Sequence, residues 1–212
     1  MKKIMFSERY GLEQAVFAGT KTMTRRIVPI DLYNQTDWKA VAEGDFEAVV
    51  DGEGYYHDIR NCGKYRVGEE VAIAQPYKND GVLTYNAYNE DGTAREDGLQ
   101  RHKEMLDSKG YRNKMFVKAE YMPHRIRITN IKAERLQEIS DGDCLKEGIT
   151  TITEGKNEAG NAYGWDHKID ALKRDSFFTP RAAFAALIDR ISGRGTWQSN
   201  PWVYAYTFEL IK

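Results

Sequence analysis

The 212-residue sequence has no apolar run approaching the roughly 20 residues that a helix needs to cross a bilayer. Its basic start, Met1-Lys2-Lys3, is followed by too short an apolar stretch for a secretory signal, so a cytoplasmic location and no membrane partner are expected. Cysteine is scarce. Cys62 and Cys144 form no CxxC pair, and reduced thiols are the expectation. Histidines are scattered singly at His57, His102, His124 and His167, which gives no metal-ligand spacing and leads us to expect neither a metal nor another cofactor. Net charge is missing as well: 31 basic against 32 acidic side chains leave a formal charge of -1, so any nucleic-acid binding must come from a local patch. GxSxG, Walker and HExxH motifs are all absent, which removes support for the commoner hydrolase chemistries.

What is present is the composition of an ordinary globular domain, 41% hydrophobic and 30% charged, with room for insertions around one core. The chain is organised around Gly19-Thr20-Lys21-Thr22-Met23-Thr24-Arg25-Arg26. Leu12, Ala15 and Val16 fall at i, i+3 and i+4, which predicts an amphipathic helix over residues 8–18 with Ser7 as its cap and Gly19 just past its end. Lys21 and Thr24 have opposite parity and would point to opposite faces of a straight strand, so they converge only if the chain turns between them. Residues 19–22 are therefore read as a turn, with a strand starting near Met23, Thr24 and Arg26 on one face, and Lys21 folded back toward them. A partly buried lysine beside Arg25 and Arg26 has its ammonium disfavoured by desolvation and by like charge, which moves it toward acting as a base. A solvated basic turn is the plainer reading of the same residues.

A strand over residues 3–6 opens the chain. Asp51-Gly52-Glu53-Gly54 reads as the turn of a small hairpin between residues 48–50 and 55–56. Gly68 marks a tight turn before a buried strand that reaches Ala74. Residues 96–108 read as a helix, and the apolar residues 115–119 as a further strand. In His124-Arg125-Ile126-Arg127-Ile128-Thr129 the alternation sends the isoleucines inward and Arg125 and Arg127 outward, where the arginines either meet phosphates or keep a half-buried strand soluble. Ser140-Asp141-Gly142-Asp143 opens a short helix that stops at Gly148. Glu147 falls in its last turn, where the helix dipole opposes a carboxylate by about 0.3 to 1 kcal/mol. Residues 154–176 read as a mobile loop. Thr179-Pro180 begins a helix whose Phe184, Leu187, Ile188 and Ile191 are core residues, and Gly193 ends it. The aromatic strand over 202–211 should be central to the sheet. Trp197, just before it, is placed either to stack on a base or to pack across the barrel mouth.

These residues resemble a known family. Gly19 to Arg26 is similar to the G-x-K-x-x-T-x-R signature of the ASCH domain. Tyr65-Arg66-Val67-Gly68-Glu69 resembles the family's K-x-G-D segment, and Leu136-Gln137-Glu138-Ile139-Ser140-Asp141 with Glu147-Gly148-Ile149 resembles its helix. Gly195-Thr196-Trp197 with Asn200-Pro201-Trp202-Val203 resembles the ending of phage and prophage members. Together these segments span roughly half the chain.

The resemblance implies an α+β fold, a PUA-like β-barrel with flanking helices, as a single domain over residues 1–212 with insertions at about 31–61, 79–112 and 154–176. It also implies a cationic cleft for single-stranded RNA or for a modified nucleobase, nucleoside or nucleotide. Some small bacterial members are amidohydrolases that remove the acetyl group of N4-acetylcytidine, and their lysine, threonine and glutamate match Lys21, Thr24 and Glu147. On that pattern Lys21 accepts the proton of Thr24, the hydroxyl adds to the acyl carbonyl, and Glu147 orients the lysine or relays the proton. Arg26 is placed for the oxyanion or a phosphate. Arg25, Arg125, Arg127 and Trp197 are the remaining candidate contacts. Three readings stay open: a binding module, placed first because the insertions can reshape the cleft; an amidohydrolase; and a phage accessory domain whose loops bind protein.

Overall fold

Residues 1–152, 162–165 and 177–211 are described by a computed structural model, and the architecture is α+β. Five strands, β1 (Lys2–Ile4), β2 (Met23–Ile27), β5 (Glu70–Ile73), β6 (Arg125–Arg135) and β9 (Trp202–Ile211), form a mixed sheet of order β1-β5-β6-β9-β2. β1 and β5 are parallel, whereas β5–β6 and β2–β9 are antiparallel. Among the described residues no pairing joins the two edge strands, so the barrel closure expected from the sequence is not part of the observed sheet. β9 lies inside it, between β6 and β2, as its run of large side chains predicts: Trp202, Tyr204, Tyr206 and Phe208 are all buried. Among the described residues no helix is long and apolar enough to cross a membrane.

The chain divides into two compact units. The first comprises Met1–Phe6, Glu70–Arg127 and Leu210–Lys212. Helices α4 (Asp80–Ala87) and α5 (Gly98–Asp107) belong to it, and its core gathers Ala72, Ala74, Tyr77, Val82, Met105, Val117, Tyr121 and Met122. The strand expected over 115–119 does not form. Asn113 Oδ1 accepts the Met115 N–H at 3.0 Å and starts a tight turn, which leaves Met115 and Phe116 exposed.

The second unit comprises Ser7–Glu69 and Ile128–Glu209. It contains β2, most of β6 and of β9, and helix α1 (Leu12–Phe17), which starts four residues later than its pattern suggests because Gly11 takes a left-handed turn at φ 67°. Helices α2 (Ile30–Asn34) and α3 (Trp38–Glu43) precede the expected hairpin, formed by β3 (Glu47–Val50) and β4 (Tyr56–Asp58) with Val50 opposite Tyr56. After β6, α6 (Asp141–Lys146) leads into a ribbon of β7 (Ile149–Ile152) and β8 (Ala162–Trp165). The ribbon's second strand lies within the stretch read as a mobile loop; residues 153–161 and 166–176 of that stretch are outside the described residues. In α7 (Pro180–Ser192) Thr179 Oγ accepts the Ala182 N–H, and Ala183, Phe184, Leu187 and Ile188 are buried. Ile191, expected in the core, is 39% exposed, one residue from the end of the helix. α8 (Thr196–Ser199) then leads into β9.

Candidate functional site

The turn that the sequence places after the first helix is built by its C-cap. Gly19 adopts φ 73°, its N–H donates to Val16 O at 3.0 Å, and the Thr20 N–H donates to Ala15 O at 3.0 Å, the paired bonds of a glycine-terminated helix. The Lys21 N–H adds a third bond, again to Ala15 O at 2.9 Å, and the Thr22 N–H reaches Lys146 O at 2.9 Å. This pins the loop against the end of α6. There Gly148 sits at φ 98°, and a side chain at that position would come within 3.2 Å of Leu12 and 3.6 Å of the Lys21 stem.

Lys21 is 2% exposed. Its ammonium donates to Glu147 Oε2, to Glu147 O and to Met23 O, each at 2.7 Å. Glu147 turns its other oxygen, Oε1, to the Arg25 guanidinium at 3.1 Å. Arg25 in turn donates to Glu134 Oε1 from Nε at 3.0 Å and from its second terminal nitrogen at 2.6 Å, and reaches Asp143 Oδ2 at 3.4 Å. The face of its guanidinium lies 6.0 Å from the Phe184 ring centre. Two buried cations, Lys21 and Arg25, thus balance two buried carboxylates, Glu134 and Glu147. Such a group is tolerable in the interior because every charge has a partner.

Burial lowers the pKa of Lys21 from its ordinary 10.5, with Glu147 pulling it back up and Arg26 and Arg25 adding to the decrease. Burial also works against the charge of Arg25, but Glu147 and Glu134 together outweigh it and the net shift is upward. Buried Cys144, on α6, is pushed up to about 12 by desolvation, so it is a thiol and not a thiolate at neutral pH.

Thr24 is buried on β2 but belongs to a different surface. Alternation along the strand sends Thr24 and Arg26 to one face and Met23 and Arg25 to the other. Thr24 stands opposite Tyr206 and Arg26 opposite Tyr204. Tyr206 packs edge-on to Tyr65 with ring centres 5.2 Å apart. Burial pushes Tyr65 up to about 12, opposed by the nearby charge of Arg26. Among the described residues the hydrogen bonds to Glu147 come from Lys21 and Arg25 and do not include Thr24 Oγ.

Of the residues singled out in the sequence, Lys21 and Glu147 are therefore brought into contact. Arg25, expected to face a ligand, is 5% exposed and spends its guanidinium on carboxylates. Arg26 is half-buried beside the tyrosines. Arg125 and Arg127 belong to the first unit, where both pair with Glu70, at 3.8 and 3.1 Å. Trp197 packs edge-on to Phe184 at 6.2 Å, with the Arg181 guanidinium 5.4 Å from its ring. Sequence reasoning missed Glu134. The buried positions of β6 switch from even (Ile126, Ile128) to odd (Ile131, Ala133) along the strand, and Glu134 is buried next to them. Alternation in the new phase would send Glu134 outward beside exposed Lys132, so the pattern held no signal for its burial. Among the described residues no cluster of three or more His, Cys, Asp or Glu side chains is arranged to hold a metal ion. No family model, no curated protein and no solved structure matches the chain.

Proposed function

We propose that the chain is an ASCH-type protein with a PUA-like barrel, that it binds an N4-acylated cytosine nucleoside, and that Lys21, Thr24 and Glu147 hydrolyse the amide. The observation that carries this reading is the 2.7 Å contact between Lys21 and Glu147. It joins the two segments whose resemblance to the family supplies the lysine and the glutamate.

The chemistry starts from a charged pair. Moving one proton across the contact leaves a neutral amine on Lys21, and burial of the lysine lowers the cost of that transfer. The step requires β2 to present to that amine the Thr24 hydroxyl, which alternation turns away from Arg25; the amine then takes its proton as the Thr24 oxygen bonds to the acyl carbon and the C–N bond breaks. The proton then passes to the departing N4 amine, and water releases the acyl group from Thr24 as a carboxylic acid. Arg25, tied to Glu147 and Glu134, holds the glutamate in place and acts as a positioning residue.

A second reading is binding without turnover. It is favoured by one observation: the three protons of the Lys21 ammonium already have three acceptors, and the Thr24 hydroxyl is not among them.

Incubation with N4-acetylcytidine, followed through its ultraviolet spectrum, separates the two. Conversion to cytidine by the parent and loss of conversion in Lys21→Ala and Thr24→Ala supports hydrolysis. Saturable binding by calorimetry without conversion leaves the second reading, and neither binding nor conversion overturns both.

A further inference from the structure

Beyond the Lys21 cluster, at the far end of β2 in the same unit, lies a groove of about 430 Å³. Its apolar walls are Ile27, Ile30, Tyr33, Pro201 and Trp202, with Arg135 beside them. Two features of these walls call for a partner. Ile27, Ile30 and Tyr33 are 46%, 68% and 38% exposed, and α2, which carries two of them, buries none of its side chains. The Tyr33 ring leans on Trp38 with centres 5.1 Å apart, but Ile30 stays open, and so short a helix gains little from folding alone.

The second feature is charge. The Arg135 guanidinium lies 4.8 Å from the Trp202 ring centre and donates one bond, to Asn200 O at 3.2 Å. Among the described residues no carboxylate forms an ion pair with it. Glu134, its neighbour in sequence, pairs with Arg25 and Lys132, and Glu138 is engaged by the Arg135 backbone N–H at 3.0 Å. Arginine has five N–H donors in a planar fork suited to oxyanions, so most of that capacity is unspent. Trp202 is held between Trp38, stacked at 4.5 Å, and Arg135, and among the described residues its buried indole N–H has no acceptor. Buried indoles normally find one.

We infer that this groove binds a small apolar anion, an aromatic body bearing one carboxylate or phosphate, with the body against Ile27, Ile30 and Tyr33 and the oxyanion on Arg135. A volume of about 430 Å³ is of the size that admits such molecules. Charge complementarity selects the anion, and the aromatic and branched aliphatic walls select the body. The site is independent of the amidohydrolase reading, since none of the groove's residues takes part in the Lys21 cluster.

Calorimetric titration of the full chain with 1-naphthaleneacetate, 1-naphthyl phosphate and neutral 1-naphthylmethanol tests it. One of the two anions should bind at least about tenfold more tightly than the alcohol, the margin that a charge-assisted bond to arginine provides. The tighter of the two names the head group. Arg135→Gln should remove that margin. Ile30→Asp, at a position exposed enough to leave the fold intact, should weaken all three probes and the anions most. Absence of saturable binding by the parent, equal affinity for anion and alcohol, or variants that bind like the parent would each overturn the inference.

Discussion

Lys21 and Glu147 are 126 positions apart in the chain and 2.7 Å apart in the structure. Two left-handed glycines flank this meeting: Gly19 turns the chain out of α1, and Gly148, at φ 98°, turns it at the end of α6. The pair is buried and shares its carboxylate with Arg25, so its energetics and its chemistry are linked.

Removing one member of the cluster should be costly. Lys21→Met leaves a buried carboxylate with one cation fewer, and breaking a buried pair in this way typically destabilises by about 3–5 kcal/mol. Urea unfolding measures it. The double variant Lys21→Met/Glu147→Gln should lose less than the sum of the two single losses, because the charges leave together. A loss under about 1 kcal/mol for Lys21→Met is what a solvated, surface-like pair would give.

Arg25 should not tolerate lysine. Its two bonds to Glu134 and its bond to Glu147 need a planar fork, and an ammonium supplies a single point charge. Arg25→Lys should destabilise by about 2 kcal/mol or more, and Arg25→Met by about 3–5 kcal/mol, since the latter strands Glu134 and Glu147 with less compensation. Equal stability of Arg25→Lys and the parent would remove the bridging role.

The pH dependence has a definite sign. Burial lowers the Lys21 pKa below its ordinary 10.5, so between the two values the unfolded chain binds more protons than the folded one and unfolding free energy rises with pH. Tyr65 acts oppositely, because its folded pKa is pushed up to about 12 from 10.0, and folded stability is lost as pH rises above 10.0. The stability difference between the parent and Lys21→Met isolates the lysine. That difference should move in the parent's favour from neutral pH toward 10; a difference that falls over this range would mean the surroundings favour the ammonium.

Gly148→Ala tests the cap. At φ 98° an L-residue is strained, and the added carbon would meet Leu12 at 3.2 Å. We expect a loss of about 1–3 kcal/mol in thermal or urea unfolding, larger than for an exposed left-handed glycine with open space around it. Gly44→Ala, at φ 94° with nothing within 4 Å, is the control.

Much of this was legible in the sequence where local chemistry decides. The glycine-ended first helix, the start of β2 at Met23, the Asp51–Gly54 hairpin and the Thr179-Pro180 helix start all follow from residues that force a turn or a cap. Burial was harder to read. Arg25 reads as surface in any linear pattern, and its partnerships with Glu134, 109 positions away, and Glu147, 122 away, turn it inward. Apolar residues 115–119 suggested a strand because composition carries no information about Asn113 capping a tight turn just before them. Lys21 and Glu147 were nameable through resemblance, but their contact depends on the fold bringing two glycine turns side by side.

The most direct test is a double-variant cycle in kcat/KM for N4-acetylcytidine, using Lys21→Met, Glu147→Gln and both together, each checked for its fold by circular dichroism. If the two act as one proton-transfer unit, each single variant should lose at least about 100-fold and the double variant no more than the worse single one. Losses that multiply, or single variants as active as the parent, would contradict a shared catalytic role for this pair.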